Sequence, residues 1–388
     1  MPIVSMKKRI YLDHAAATPL SSVAWMAMEP VLLAEVGNPS SIHHEGVRSS
    51  NILRACHESI AQCIGAHTDE IVLTSGATES INLAVFGALK AASMRGKHVV
   101  TVATEHAAVL GALRAAGADV AVLPVDDRGH VDGESIVAAL RPDTVLVSVM
   151  MANNEIGVVH DIHHIGKAID AWRKKNGSVY PLFHSDASQA PNYLTIDVAS
   201  LHVDLLTLSS PKIYGPKGAG ALFIRRNTPW SSVFGGGKQE SGRRPGTENI
   251  AGAVGFASAL VETTEMRDGE VARILPLRER LMTGLLEIDG TQLNGDHIRR
   301  LPNNVNVSFK GIEGEELVIR LDAAGIAVST GSACKGGSEP SHVLAALGLS
   351  PDRINSSVRF TLGRSTSDQD ILRTITAVRD IVLAARFG

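Results

Sequence analysis

The sequence predicts an α/β protein, with a mainly parallel sheet in a large domain and a smaller α+β domain beside it. Two observations carry the fold class. Short β-branched runs, apolar along their whole length, alternate with helical patterns through the middle of the chain. Strands covered by helices on both faces have that texture, because neither face meets water. After about Ser258 the alternation stops, and longer helical patterns dominate with only occasional strands.

The elements follow in order. Glu70–Leu73 reads as a strand and Ser80–Leu89 as a helix. Lys97–Ala103 (KHVVTVA) is strand-like, and Ala107–Ala116 has apolar residues at helical spacing. The pattern repeats with a strand at Asp119–Val125, a helix at Gly133–Leu140, a strand at Thr144–Met150 (TVLVSVM) and a helix at Ile162–Lys175. Strands at Val179–Ser185, Asp204–Leu208 and Ala219–Ile224 close the series. Beyond Ser258, helices are expected at Leu275–Ile288 and Glu315–Ala324, and strands at Asn304–Phe309 and Ser357–Leu362. The last segment, Asp368–Ala385, places Ile371, Leu372, Ile375, Val378, Ile381 and Val382 on one helical face.

Composition narrows the function classes. The chain has 388 residues, 44% hydrophobic and 20% charged, which is enough to bury a core without disulfides or structural metal. Lys and Arg number 37 against 40 Asp and Glu, a formal charge of −3 with no long run of either sign, so direct nucleic-acid binding by bulk charge is not expected. Three cysteines, Cys56, Cys63 and Cys334, make neither a disulfide framework nor a zinc-like spacing, and a reducing, cytoplasmic setting fits them. No stretch of 18 apolar residues exists to span a membrane, and the N-terminal MPIVSMKKRIYLD has no signal-peptide core.

Three short segments carry chemistry. Thr74-Ser75-Gly76-Ala77-Thr78-Glu79-Ser80 joins a strand to a helix through a glycine turn. The free N–H groups and positive dipole end of such a helix start suit a phosphate, although the same pattern also marks ordinary helix starts. Asp186, in His184-Ser185-Asp186-Ala187-Ser188-Gln189, falls at a strand's C-terminal end, where open α/β sheets bind ligands; an Asp there can equally cap the next helix. Lys212, in Ser209-Ser210-Pro211-Lys212-Ile213-Tyr214-Gly215, follows an apolar strand in a Gly/Pro turn. A partly desolvated lysine in that place can form a Schiff base. Phosphate cradle, acidic strand end and turn lysine together match what a pyridoxal phosphate site needs.

With these residues in view, the chain resembles the cysteine desulfurases of the NifS/IscS type, within the class V aminotransferase group of fold-type I enzymes that use pyridoxal 5'-phosphate. The motifs run nearly end to end: Tyr11-Leu12-Asp13-His14-Ala15-Ala16-Ala17-Thr18, Gly37-Asn38-Pro39-Ser40, the turn at Gly76, Thr104-Glu105-His106, Asn153-Asn154-Glu155-Ile156-Gly157, the Asp186 and Lys212 segments, Gly235-Gly236-Gly237-Lys238-Gln239-Glu240, Arg244-Pro245-Gly246-Thr247 and Ser332-Ala333-Cys334. The resemblance implies Lys212 as the Schiff-base lysine, Asp186 as the partner of the pyridinium nitrogen and Gln189 as a donor to the ring phenolate. It implies His106 as the imidazole over the cofactor face. Ala77, Thr78 and Ser209 would hold the phosphate, with Thr247 reaching in from the other subunit of a homodimer. Asn154 and Arg359 would clamp the substrate carboxylate, although a structural salt bridge is an open alternative for Arg359. Cys334 would be the nucleophile that takes sulfur from L-cysteine as a persulfide, leaving L-alanine, and passes it to an acceptor or scaffold protein.

The implied division is a large domain of residues 15–257 and a small domain of residues 1–14 and 258–388 that carries the cysteine. Iron–sulfur cluster assembly, tRNA thiolation, cofactor synthesis and DNA modification all use such sulfur donors. Other readings are a selenocysteine lyase, another class V lyase or epimerase, or a weakly catalytic scaffold. Cys56 and Cys63 read as packing residues, and His160 and His164, at i and i+4, as parts of an ordinary helix start rather than metal ligands. Two features depart from the family: Pro211 stands where most relatives carry a histidine before the lysine, and the stretch from Cys334 to Glu339 is one residue shorter. Proline brings neither a ring nitrogen nor an N–H, so weaker cofactor retention is expected.

Overall fold

The computed structural model describes residues 9–331 and 340–387. In chain order, β1 (Ile10–Tyr11) leads to α1 (Ser22–Ala34) and α2 (His44–Ile64). There follow β2 (Ile71–Thr74), α3 (Ala77–Ala91), β3 (His98–Val102), α4 (Ala107–Ala115), β4 (Asp119–Leu123), α5 (Gly133–Ala138) and β5 (Thr144–Ser148). Next are α6 (Ile162–Asn176), β6 (Leu182–Asp186), β7 (Leu205–Ser209), β8 (Gly220–Ile224) and the long α7 (Ile250–Leu286). The chain closes with β9 (Thr291–Leu293), β10 (Asn304–Phe309), α8 (Gly314–Ala323), β11 (Ile326–Ala327), α9 (His342–Ala346), α10 (Pro351–Asn355), β12 (Ser357–Thr361) and α11 (Asp368–Phe387).

Seven strands form one sheet in the order β2-β8-β7-β6-β5-β3-β4. The pairs from β7 through β4 are parallel, whereas β8 runs against both β7 and β2. The reversal at β8 has no mark in the apolar pattern of AGALFI, because a strand buried on both faces reads alike in either direction. Side chains alternate between two apolar layers. Val100, Val102, Val147, Phe183, Leu206 and Phe223 pack on one face with α2 and α7, and Val99, Leu146, Leu182, Leu205 and Leu222 pack on the other with α3 and α4. Complete burial of a side chain such as Phe183 contributes about 1.5–3 kcal/mol relative to exposure.

A second apolar core gathers Phe309, Phe360, Leu317, Ile371, Val378 and Leu281 around an antiparallel sheet, β12-β10-β9. β1 pairs in parallel with β11 at its side. Helix α7 contacts α1 and α2 as well as α11 and β10, so Ser258, where the sequence changes texture, falls within one continuous helix. Three further departures from the expected elements concern where elements begin or end. β6 begins at Leu182 rather than Val179, because Pro181 has no N–H for the ladder. α3 begins at Ala77, three residues before Ser80, directly after Gly76, whose φ of 141° lies outside the helical range. β5 ends at Ser148, two residues short of Met150.

Candidate active site

The C-terminal ends of the parallel strands open onto a cavity of about 500 Å³. Its lining includes Ser75, Gly76, Ala77 and Thr78 after β2, and Met150 beyond β5. Asp186 at the end of β6, Ser209 at the end of β7, Pro211 and Lys212 just beyond it, and His106, Asn154, Gln189, Gly331 and Arg359 also line it. Every site residue expected from the sequence and described by the structure lines it except Thr247. That residue lines a neighbouring cavity of about 250 Å³ with Ser75, Gly218, Arg244 and Asn249. Cys334, and Lys335 beside it, lie outside the described residues.

The turn after β2 is built to leave a helix start uncapped. Gly76 occupies the N-cap position of α3 without a side chain to offer, and its φ of 141° is open to glycine alone. The backbone also passes close to β8: a Cβ on Gly220 would stand 2.7 Å from the Gly76 Cα. Behind the turn, Thr74 Oγ1 lies 2.8 Å from Ser80 Oγ, and Ser75 N–H donates to Glu79 at 2.7 Å. Arg244 Nε donates to the same carboxylate at 2.7 Å. Burial pushes the Glu79 carboxyl up, but the hydrogen bonds from Arg244 and Ser75 prevail and hold it below its usual range.

Asp186 Oδ1 accepts from Ser188 N–H at 2.9 Å and Ser188 Oγ at 2.5 Å. Those bonds fix a buried carboxylate at the edge of the cavity. His184, two residues earlier on β6, is enclosed; Ser148 and Thr207 hydroxyls lie 2.9 and 3.0 Å from its ring nitrogens. Burial pulls its pKa down to about 4, so it is neutral at physiological pH. His106 caps α4, and its Nδ1 accepts from Ala108 N–H at 3.1 Å. A donor at Nδ1 leaves Nε2 to carry the proton of the neutral ring.

Lys212 ends a 3₁₀ turn, and its Nζ donates to the Ala15 and Ala16 carbonyls of the N-terminal segment. Gln189 Nε2 donates to the same Ala15 carbonyl at 3.0 Å, so the segment touches two expected cofactor residues at once. Opposite them, Arg359 Nη2 donates to Asp13 Oδ1 at 2.7 Å and Nη1 to the Asn154 carbonyl at 3.0 Å. Arg359 therefore reaches the cavity wall while engaged in the salt bridge that was the open alternative for it. Its Nε is buried with no protein partner.

Several residues here had no assigned role in the sequence reading. Asp13 and Thr18 belong to the Tyr11–Thr18 motif, the one signal in the sequence that points to them. Glu105 has no exposed surface; burial, reinforced by the nearby Asp186 charge, pushes its pKa up to about 8. Glu155 is also raised, chiefly by burial, and accepts from Ser341 Oγ. In the two described cysteines burial disfavours the thiolate, pushing Cys56 up to about 12 and raising Cys63 as well. His160 precedes α6 and is buried with neither ring nitrogen bonded, whereas His164 is exposed on the helix, so the two do not converge. Among the described residues no three His, Cys, Asp or Glu side chains gather as metal ligands would.

The donor set fits a ligand with three distinct functions. An uncapped helix start with a nearby serine accepts a phosphate, a buried carboxylate opposes a protonated ring nitrogen, and a primary amine takes an aldehyde.

Comparison with known proteins agrees with this chemistry. The profile of the family described as aminotransferase class V matches residues 10–373. The cysteine desulfurase IscS of Dictyoglomus turgidum is 43% identical over 382 residues, covering 97% of this chain and 95% of the relative. A solved NifS-like protein superposes with a TM-score of 0.90 at 31% identity, over 97% of this chain and all (100%) of that one. The structure of SspA in complex with cysteine aligns with a TM-score of 0.78 at 32% identity, covering 92% and 99% of the two chains.

Proposed function

The chain belongs to the aminotransferase class V family, and from that premise we propose that it is a pyridoxal phosphate-dependent cysteine desulfurase. It converts L-cysteine to L-alanine and takes the sulfur onto Cys334. The observation that carries this reading is the meeting of the uncapped Gly76–Thr78 turn, Asp186, Lys212 and Arg359 at one cavity.

Bound there, the cofactor supplies an electron sink for negative charge on the substrate α-carbon. Ala77, Thr78 and Ser209 would hold its phosphate, Asp186 would keep its ring nitrogen protonated, and Gln189 would donate to its phenolate. His106, whose neutral ring carries its proton at Nε2, would serve in proton transfer beside it. Lys212 would hold it covalently, and its amine, once free, would take the substrate α-proton. Arg359 and Asn154 orient the substrate carboxylate; the planar guanidinium fork suits two parallel hydrogen bonds. The Cys334 thiolate attacks the substrate sulfur. An S–S bond forms, the C–S bond breaks with its electron pair passing to carbon, and the carbon skeleton gains a proton and leaves as alanine.

The active unit is a homodimer. Supporting this, Leu33, Val36 and Ile42, in and after α1, are 80%, 84% and 97% exposed, beside Trp25 and Met26, and Thr247 stands apart from its own chain's cavity. Residues 15–257 form the large domain, and residues 1–14 and 258–388 the small one that carries the cysteine. No helix among the described residues is long and apolar enough to cross a membrane, and a cytoplasmic setting suits a thiol that must stay reduced. The persulfide is delivered to an acceptor or scaffold protein, with iron–sulfur cluster assembly as its use. Alanine release from L-cysteine by the loaded protein with reductant, beside Cys334→Ala, tests the reading: release that survives in the variant defeats the nucleophile assignment.

A further inference from the structure

Thr18 does not line the cavity, yet its hydroxyl sits between the peptide groups that flank Lys212. Its N–H and its Oγ1 both donate to the Pro211 carbonyl, at 2.8 and 3.0 Å. The same Oγ1 accepts from Tyr214 N–H at 2.6 Å. The carbonyl before Lys212 and the amide two residues after it are thus tied to one buried side chain. Asn192 Nδ2 donates to the Lys212 carbonyl at 2.7 Å, which completes the bracket.

The turn needs such a brace for two physical reasons. Pro211 has no N–H, so at that residue the turn can be held only through its carbonyl. Tyr214 adopts a φ of 65°, the left-handed region that costs energy for any residue with a Cβ. A strained conformation persists only where its surroundings over-determine it, and at functional turns that strain often serves preorganisation. Here Thr18 holds the Tyr214 amide, Arg364 N–H donates to the Tyr214 hydroxyl at 2.8 Å, and the Arg364 guanidinium lies 4.0 Å over the ring. The segment bearing Thr18 also supplies the Ala15 and Ala16 carbonyls that receive Lys212 Nζ.

We infer that Thr18 is a positioning residue for Lys212, its hydroxyl holding the Ser210–Tyr214 turn so that the lysine amine is presented to the cavity. The inference rests on the reading of Lys212 as the residue that takes the cofactor covalently. The test follows covalent capture of pyridoxal phosphate by the full-length apoprotein, quenched with borohydride and read by mass spectrometry at Lys212. It is run below each variant's melting midpoint. Thr18→Val keeps the side-chain volume and removes the hydroxyl, leaving Tyr214 N–H without an acceptor; capture slows roughly tenfold. Thr18→Ser restores the hydroxyl and stays within about twofold of the unaltered protein. Capture by Thr18→Val at the unaltered rate overturns the inference, as does a serine variant as slow as the valine one. A role through packing of the methyl alone gives the reverse order, Val fast and Ser slow. Should the valine variant not fold, Thr18→Ala carries the same comparison with Ser. Lys212→Ala separates the premise from the inference: label captured elsewhere in that variant defeats the lysine assignment and leaves the Thr18 bonds untouched.

Discussion

The cavity has two walls of opposite construction. On the side of the seven-stranded sheet, the polar groups stand within a few residues of a strand end: Ser75–Thr78 after β2, Asp186 at the end of β6, Ser209 at the end of β7 and Lys212 just after it. On the other side, Arg359 comes from inside β12, where its backbone pairs with Ser329, and its side chain is held by Asp13 from the far end of the sequence. The first wall is built on turns at strand ends, which the N-terminal segment braces through Thr18 on Pro211 and Tyr214 and through the Ala15 and Ala16 carbonyls on Lys212. The second rests on a side chain from within a strand, fixed by an ion pair between segments hundreds of residues apart. On the proposed function, the sheet wall fixes the cofactor and the opposite wall orients the substrate.

The sharpest way to break this comparison is at the lysine. Lys212→Ala should remove covalent cofactor and lower alanine formation at least ~10³-fold, with the far-ultraviolet spectrum unchanged. Activity near that of the unaltered protein would mean that the sheet wall does not carry the chemistry. At the opposite wall, Arg359→Ala should lower kcat/KM for L-cysteine about 100-fold, mostly through KM, while the loaded cofactor and its absorbance persist. A loss of cofactor affinity instead would place Arg359 on the wrong wall.

Glu105 lies beside the cavity: its carboxyl oxygen accepts from His106 N–H at 3.1 Å, and its backbone carbonyl lies 2.8 Å from His342 Nε2. Its pKa is raised from 4.5 to about 8, so between those values the folded chain keeps a proton that the unfolded chain gives up. Its contribution to stability is full below the unfolded value and is lost as pH rises to the folded one. Going from about pH 6 to about pH 9, the unaltered protein should lose roughly 2–3 kcal/mol more than Glu105→Gln, read from denaturant midpoints. Parallel losses would show that Glu105 does not titrate in that window. The smallest expected effect is at Pro211: Pro211→His should tighten pyridoxal phosphate binding several-fold, on the order of one added hydrogen bond. Equal affinities in a reconstitution titration would show that the proline costs nothing.

The same contrast explains what was legible in the sequence. The strands of the large sheet are buried on both faces, so TVLVS or HVVTV reads as strand without knowledge of its neighbours, and the groups at their ends follow from strand and turn together. β10 begins and ends where the sequence places it, at Asn304 and Phe309. By contrast, the first half of α7 was missed. Its Gly, Ala and Ser residues pack against α1 and α2, and tertiary contact rather than periodicity decides that it is helical. The reversed direction of β8, the Asp13–Arg359 ion pair and the Thr18 clamp on Pro211 and Tyr214 each depend on contacts between distant segments. No local pattern of residues encodes such a meeting.

The most direct test of the account follows the sulfur atom itself. Apart from Cys334, the chain has only Cys56 and Cys63, and burial raises the pKa of both, which disfavours their thiolates. A single turnover of the loaded protein with L-cysteine, alkylated, digested and analysed by mass spectrometry, should place one extra sulfur on the peptide containing Cys334 for each alanine formed. Alanine without that added mass, or with the sulfur on Cys56 or Cys63, would contradict it.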